Sequence, residues 1–87
     1  MALNIKIRRA RLRGEDGNIV RHGSGNYTIT LHSDLDGLPL AVAAFHELLH
    51  FLSYEYLQFK NIEKEHRWIK AHEASFRRHW KRWWRDG

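Results

Sequence analysis

The sequence predicts a small α+β domain: a three-stranded antiparallel sheet packed on a buried helix and covered by a second, C-terminal helix. Three observations point there. Short stretches of apolar–polar alternation fill residues 3–32, a nearly continuous apolar segment runs from Leu38 to Leu52, and the last third carries apolar residues at helical spacing. The chain has 87 residues and no cysteine, so one domain with a marginal core is expected, without disulfides or a thiolate metal site to support it. A metal held by His, Glu or Asp is another way to staple so small a unit.

Leu3, Ile5 and Ile7 alternate with Asn4, Lys6 and Arg8, the period of a half-buried strand, and the turn formers of residues 14–18 end it. Asn18 to His22 can return as a second strand before Gly23-Ser24-Gly25-Asn26 turns the chain again. Tyr27, Ile29 and Leu31 alternate with Thr28, Thr30 and His32 in a β-branched third strand. Sequential pairing makes a meander, and leaves this third strand as an edge to which an extended peptide could add. Ser33 to Gly37 offers capping residues, and Pro39 suits the first turn of a helix from about Leu38 to about Phe59. Asn61 is a good N-cap for a second helix to about residue 84, with an inward stripe of Ile62, Ile69, Phe76, Trp80 and Trp83. No repeat or linker divides the chain, so residues 1–87 read as one domain.

The formal charge of +5 is unevenly spread. Residues 1–13 hold five Lys/Arg and no acid, residues 14–60 hold two against six acids, and residues 61–87 hold eight against four. From Arg67 to Arg85 the basic residues interleave with Trp68, Trp80, Trp83 and Trp84, a composition able to neutralise phosphates and stack on bases. A nucleic-acid partner is therefore one expectation for this helix. The favoured one is that Trp80 and Trp83 complete the core and the cations form a solvated face, which leaves Trp84 unexplained. The N-terminus lacks the apolar run of a signal peptide, and Leu38 to Phe45 is too short to cross a bilayer. A soluble, cytoplasmic protein without a membrane span is expected.

Between Leu38 and Leu52 the only strongly polar side chains are His46, Glu47 and His50. A helix so apolar should be buried on several sides, and a buried carboxylate without a partner costs several kcal/mol or takes up a proton. Residues four apart lie one turn above each other, so the two imidazoles can converge on one zinc ion. Glu47, rotated by about 100°, lies beyond ligation but within reach of a metal-activated water, as a general base requires. The competing account is a pair of core histidines bonded to carbonyls and Glu47, with no metal.

Ala44-Phe45-His46-Glu47-Leu48-Leu49-His50-Phe51-Leu52 resembles the active-site helix of zincin metallopeptidases. With the preceding strand and the basic tryptophan-rich helix, the chain is most similar to gluzincin-like, short phage-type and ImmA/IrrE-like zinc peptidases. The resemblance implies a zinc-dependent hydrolase of peptide bonds, a peptide or protein substrate, His46 and His50 as zinc ligands, Glu47 as catalytic base, and a third, carboxylate ligand on the next helix. The metzincin pattern is excluded, because Phe51-Leu52-Ser53-Tyr54-Glu55-Tyr56 follows His50. Glu65 best matches that third ligand, with His66, His72, Glu73 and Glu63 as alternatives; Glu63 with Arg67 and Glu73 with Arg77 could instead form i,i+4 pairs. Tyr54 sits at i+4 from His50, where its hydroxyl could face an oxyanion, though such a tyrosine is more often core. His22, His32 and His79 read as surface residues. A metal-dependent nuclease and a nucleic-acid-binding module with a structural zinc are the alternative functions.

Overall fold

The computed structural model describes residues 3–83, with side chains described as far as residue 80. It is α+β: strands β1 (Asn4–Ala10), β2 (Gly17–Gly23) and β3 (Asn26–His32) precede helix α1 (Gly37–Leu52), a π-helical turn at Ser53–Leu57, and helix α2 (Ile62–Trp83). No described helix is long and apolar enough to cross a membrane.

The sheet is mixed, which corrects the expected antiparallel meander. Its order is β1-β3-β2, with β2 antiparallel to β3 and β1 parallel to it. β3 is therefore the central strand and cannot be the open edge; β1 and β2 are the edges. The physical reason lies in the side chains. β3 carries Tyr27, Ile29 and Leu31, all at most 3% exposed, whereas β1 carries Lys6, Arg8 and Arg9 and belongs at a solvated margin. The parallel register is fixed at both ends: Asn4 N–H donates to Gly25 O, and Ser33 N–H donates to Ala10 O. Arg9 Nη2 lies 2.6–3.1 Å from the carbonyls of His32, Ser33 and Leu35, so one guanidinium gathers the loop that leaves β3. The β2–β3 turn follows the sequence expectation, with Gly25 at φ +76° supplying the left-handed residue.

α1 crosses the sheet on the face of Ile29 and Leu31, which pack with Leu40, Ala43 and Ala44, flanked by Ile5, Ile19 and Leu35. Alanines at the contact let helix and sheet approach closely. Tyr27 meets Phe51 edge-on at 5.0 Å, and its hydroxyl donates to Glu55, tying the central strand to the π-helical turn. That turn is where the first helix departs from expectation. Regular α-helix stops at Leu52 rather than near Phe59, and Gln58, at φ 48°, closes the turn by donating its N–H to Ser53 O.

α2 opens as expected, with Asn61 Oδ1 accepting Lys64 N–H at 2.9 Å. Its inward stripe is partly different. Ile69 is buried and Phe76 stacks on Phe45 at 4.3 Å, but Ile62, in the first turn of the helix, is 65% exposed and lines an open cavity. Trp68 is half-buried between Phe59 and His72, and Trp80 is half-buried. The side chain of Trp83 and all of Trp84 lie outside the described residues, as do the side chains of Lys81 and Arg82 and all of Arg85.

Candidate functional site

His46, Glu47 and His50 all lie on α1, where 3.6-residue periodicity sends them to two walls of one trough. The imidazoles face α2 and Glu47 faces β2. His46 Nε2 and His50 Nε2 are 3.1 Å apart. Two nitrogens bound to one tetrahedral zinc at about 2.0–2.1 Å would stand about 3.3 Å apart, so the separation suits a shared cation. The other ring nitrogens meet carboxylates of α2. His46 Nδ1 is 2.5 Å from Glu73 Oε1, and His50 Nδ1 is 3.5 Å from Glu65 Oε1.

This arrangement poses a proton problem. A neutral imidazole has one N–H, and with Glu73 ionised that of His46 belongs on Nδ1, leaving a lone pair on Nε2. If His50 donates from Nε2 to that lone pair, its buried Nδ1 is left without a hydrogen bond beside the Glu65 carboxylate. If His50 instead carries its proton on Nδ1, two Nε2 lone pairs face each other across 3.1 Å. Charging His50 would satisfy both nitrogens, but burial pushes its pKa below the usual imidazole value, against the pull of Glu65. A divalent cation on the Nε2 side removes the conflict, with each outer N–H directed at a carboxylate. The donor chemistry at the pair thus fits zinc.

The remaining candidates separate clearly. Glu65 is buried and stands behind His50, on the Nδ1 side, so a change of rotamer is needed to bring it to the Nε2 side. Glu73 turns inward to His46 rather than pairing with Arg77. His66 is exposed, its ring 6.3 Å from that of His50; His72 bonds to the Trp68 carbonyl; and Glu63 is exposed. Among the described residues no three His, Asp or Glu side chains converge as a ready-made metal cluster. Tyr54 is 43% exposed, and its ring packs over His50 at 5.9 Å.

Glu47 is 6% exposed and has no hydrogen bond among the described residues. Burial pushes its pKa up, His46 pulls it down, and Glu15 and Glu73 add to the rise. Its carboxylate lies at one end of the trough, in a cavity of about 360 Å3 walled by β2 and α2 and lined by Glu15, Asp16, Gly17, His46, Glu73 and Arg77. Gly17 is there for space. A Cβ at this position would stand 3.1 Å from Thr30 O, 3.2 Å from Leu31 Cδ2 and 3.3 Å from Glu47 Oε2. Gly17→Val is accordingly expected to displace the Glu47 side chain and destabilise the fold by about 1–3 kcal/mol, measurable by denaturant unfolding.

Gly17 and the acidic pair beside it carry no sequence signal as site residues, because only the pairing of Gly17 with Leu31 brings them to α1. Glu73 did leave a trace: it lies four residues beyond buried Ile69, as Glu65 lies four before it, so the three share a helix face. Comparison with protein-family models, curated proteins and solved structures finds no match to this chain, so the chemistry of the trough rests on these residues alone.

Proposed function

We propose that the chain is a minimal zinc-dependent peptidase, with His46 and His50 holding the ion, Glu65 completing the ligand set by turning from the Nδ1 side of His50 to the Nε2 side, and Glu47 as general base. The observation that carries this reading is the pair of Nε2 atoms 3.1 Å apart, each on a ring whose outer nitrogen meets a carboxylate. Zinc bound there supplies Lewis-acid polarisation of the scissile carbonyl and activation of water. Glu47 would take the water's proton and deliver it to the leaving amine as the C–N bond breaks. Glu73 holds the His46 ring in place. Burial, with Glu65 and Glu47 adding to it, also raises the Tyr54 pKa, so its hydroxyl remains a donor at the edge of the trough.

Peptide is favoured over a phosphodiester by charge. The cavity at Glu47 is lined by four carboxylates, those of Glu15, Asp16, Glu47 and Glu73, against one guanidinium, that of Arg77. A phosphate backbone would be repelled there, whereas a neutral main chain would not. β2, the free edge beside the trough, offers main-chain groups to an extended peptide. The test is incubation of the zinc-loaded protein with a mixture of unstructured peptides, read by mass spectrometry. Cleavage that a chelator abolishes and zinc restores is expected; intact peptides together with cut oligonucleotides would overturn the reading.

A further inference from the structure

A second cavity, of about 710 Å3, lies between β2 and the start of α2, walled in part by Glu65, the carboxylate that faces His50. Its charge is opposite to that at Glu47. Residues 14–60 contain only two Lys/Arg, Arg21 and Lys60, and both line this cavity. Neither forms an ion pair among the described residues. Asn61, which caps α2, lines it as well, so the positive end of a 22-residue helix and its first free N–H groups open on the same space.

A buried side chain adds an independent pointer. Ser53 is 3% exposed and lines the cavity, yet its hydroxyl has no hydrogen-bond partner among the described residues. Its oxygen is not sealed from water, since the fully buried orphan atom among the described residues is His50 Nδ1, so the hydroxyl is open to an acceptor atom of a ligand entering the cavity. The single carboxylate on the wall is that of Glu65, beside His50, and it would oppose a phosphate dianion more than a monoanion.

We propose that this cavity is a subsite for a carboxylate of the peptide substrate, either its C-terminus or an Asp or Glu side chain, held by Arg21, Lys60 and the first turn of α2. The assignment rests on the peptidase reading for the word substrate, and on the cavity itself for the carboxylate. A peptide lying along β2 then has its anionic end beyond His50 and its neutral or basic part against Glu15 and Asp16.

The experiment titrates acetylated alanine tripeptides into zinc-loaded Glu47→Gln protein, followed by calorimetry and by NMR of the Ser53 and Asn61 amides. The tripeptides carry a free C-terminus, a C-terminal amide, or an amide with one internal Glu or Gln. At least one carboxylate form is expected to bind ~10-fold or more tightly than its neutral counterpart, the scale of a charge-assisted hydrogen bond, and the internal Glu/Gln pair tells side chain from C-terminus. Adding Arg21→Gln and Lys60→Gln together should erase the difference while zinc stoichiometry is unchanged. Equal binding of carboxylate and neutral peptides, a difference that survives the double substitution, or tighter binding of inorganic phosphate would overturn the proposal. Carboxylate-dependent binding with no cleavage of any peptide by the wild type would leave the subsite standing and remove the peptidase reading; cleavage with carboxylate-indifferent binding would do the reverse.

Discussion

Glu47→Gln is expected to lower peptide turnover by about 10²–10⁴-fold, the contribution of a positioned general base, while leaving zinc stoichiometry intact. The same substitution should make the metal-free protein more stable, by roughly 1 kcal/mol. Both effects have one origin. Glu47 is 6% exposed and forms no hydrogen bond among the described residues, so folding removes much of the water around its carboxylate, apart from that of the cavity it lines, without returning a partner. Its folded pKa is raised and its unfolded pKa is ordinary. The unfolded chain therefore binds fewer protons between the two values, and wild-type stability falls as pH rises through that window. Glutamine does not ionise, so its advantage should be full above the raised pKa and vanish below the ordinary carboxylate range. Thermal melts of both proteins across the acid range check this; an advantage that grows on acidification would show the sign to be wrong.

His46→Ala and His50→Ala are each expected to weaken zinc binding by at least ~100-fold, beyond the effect of losing an outer carboxylate. Their effects on the metal-free fold should differ. The His50 side chain is 15% exposed and faces Glu65 at 11%, so its removal strands a buried carboxylate and should cost about 1–3 kcal/mol. The His46 side chain is 38% exposed, and Glu73, at 19%, has more access to water once released, so that change should cost less. Zinc titration by calorimetry and urea unfolding of the apo proteins separate the two. Equal destabilisation would mean that Glu65 is not held by His50.

The helix that carries the site was legible because its apolar run has only one arrangement that buries it, and because His46, Glu47 and His50 interrupt it at a spacing with chemical meaning. The β2–β3 hairpin was legible from Gly23 to Asn26 for a similar local reason. Strand order was not. Alternation in residues 3–9 says which side chains share a face and nothing about the neighbour; β1 is held beside β3 by backbone bonds that any sequence could make, and the side chain that adds to them, Arg9, is one among five cations in the first thirteen residues. The end of α1 is not legible in the sequence, because a π-helical turn uses the same residues as an α-helix and differs in its hydrogen bonds. Ile62 looked like core by its sevenfold spacing from Ile69, yet the four-residue spacing of Glu65, Ile69 and Glu73 marks the face that meets α1. Polar residues on that stripe were the better signal, since the partner helix presents imidazoles.

The zinc pair itself is tested most directly by loading the purified wild-type chain with zinc, removing excess, and measuring metal per chain beside the His46→Ala/His50→Ala double variant. One zinc per wild-type chain is expected, with X-ray absorption showing two imidazole nitrogens at about 2.0–2.1 Å and none retained by the variant. A wild-type chain that holds no zinc after loading, or a double variant that holds as much, would contradict the assignment of His46 and His50.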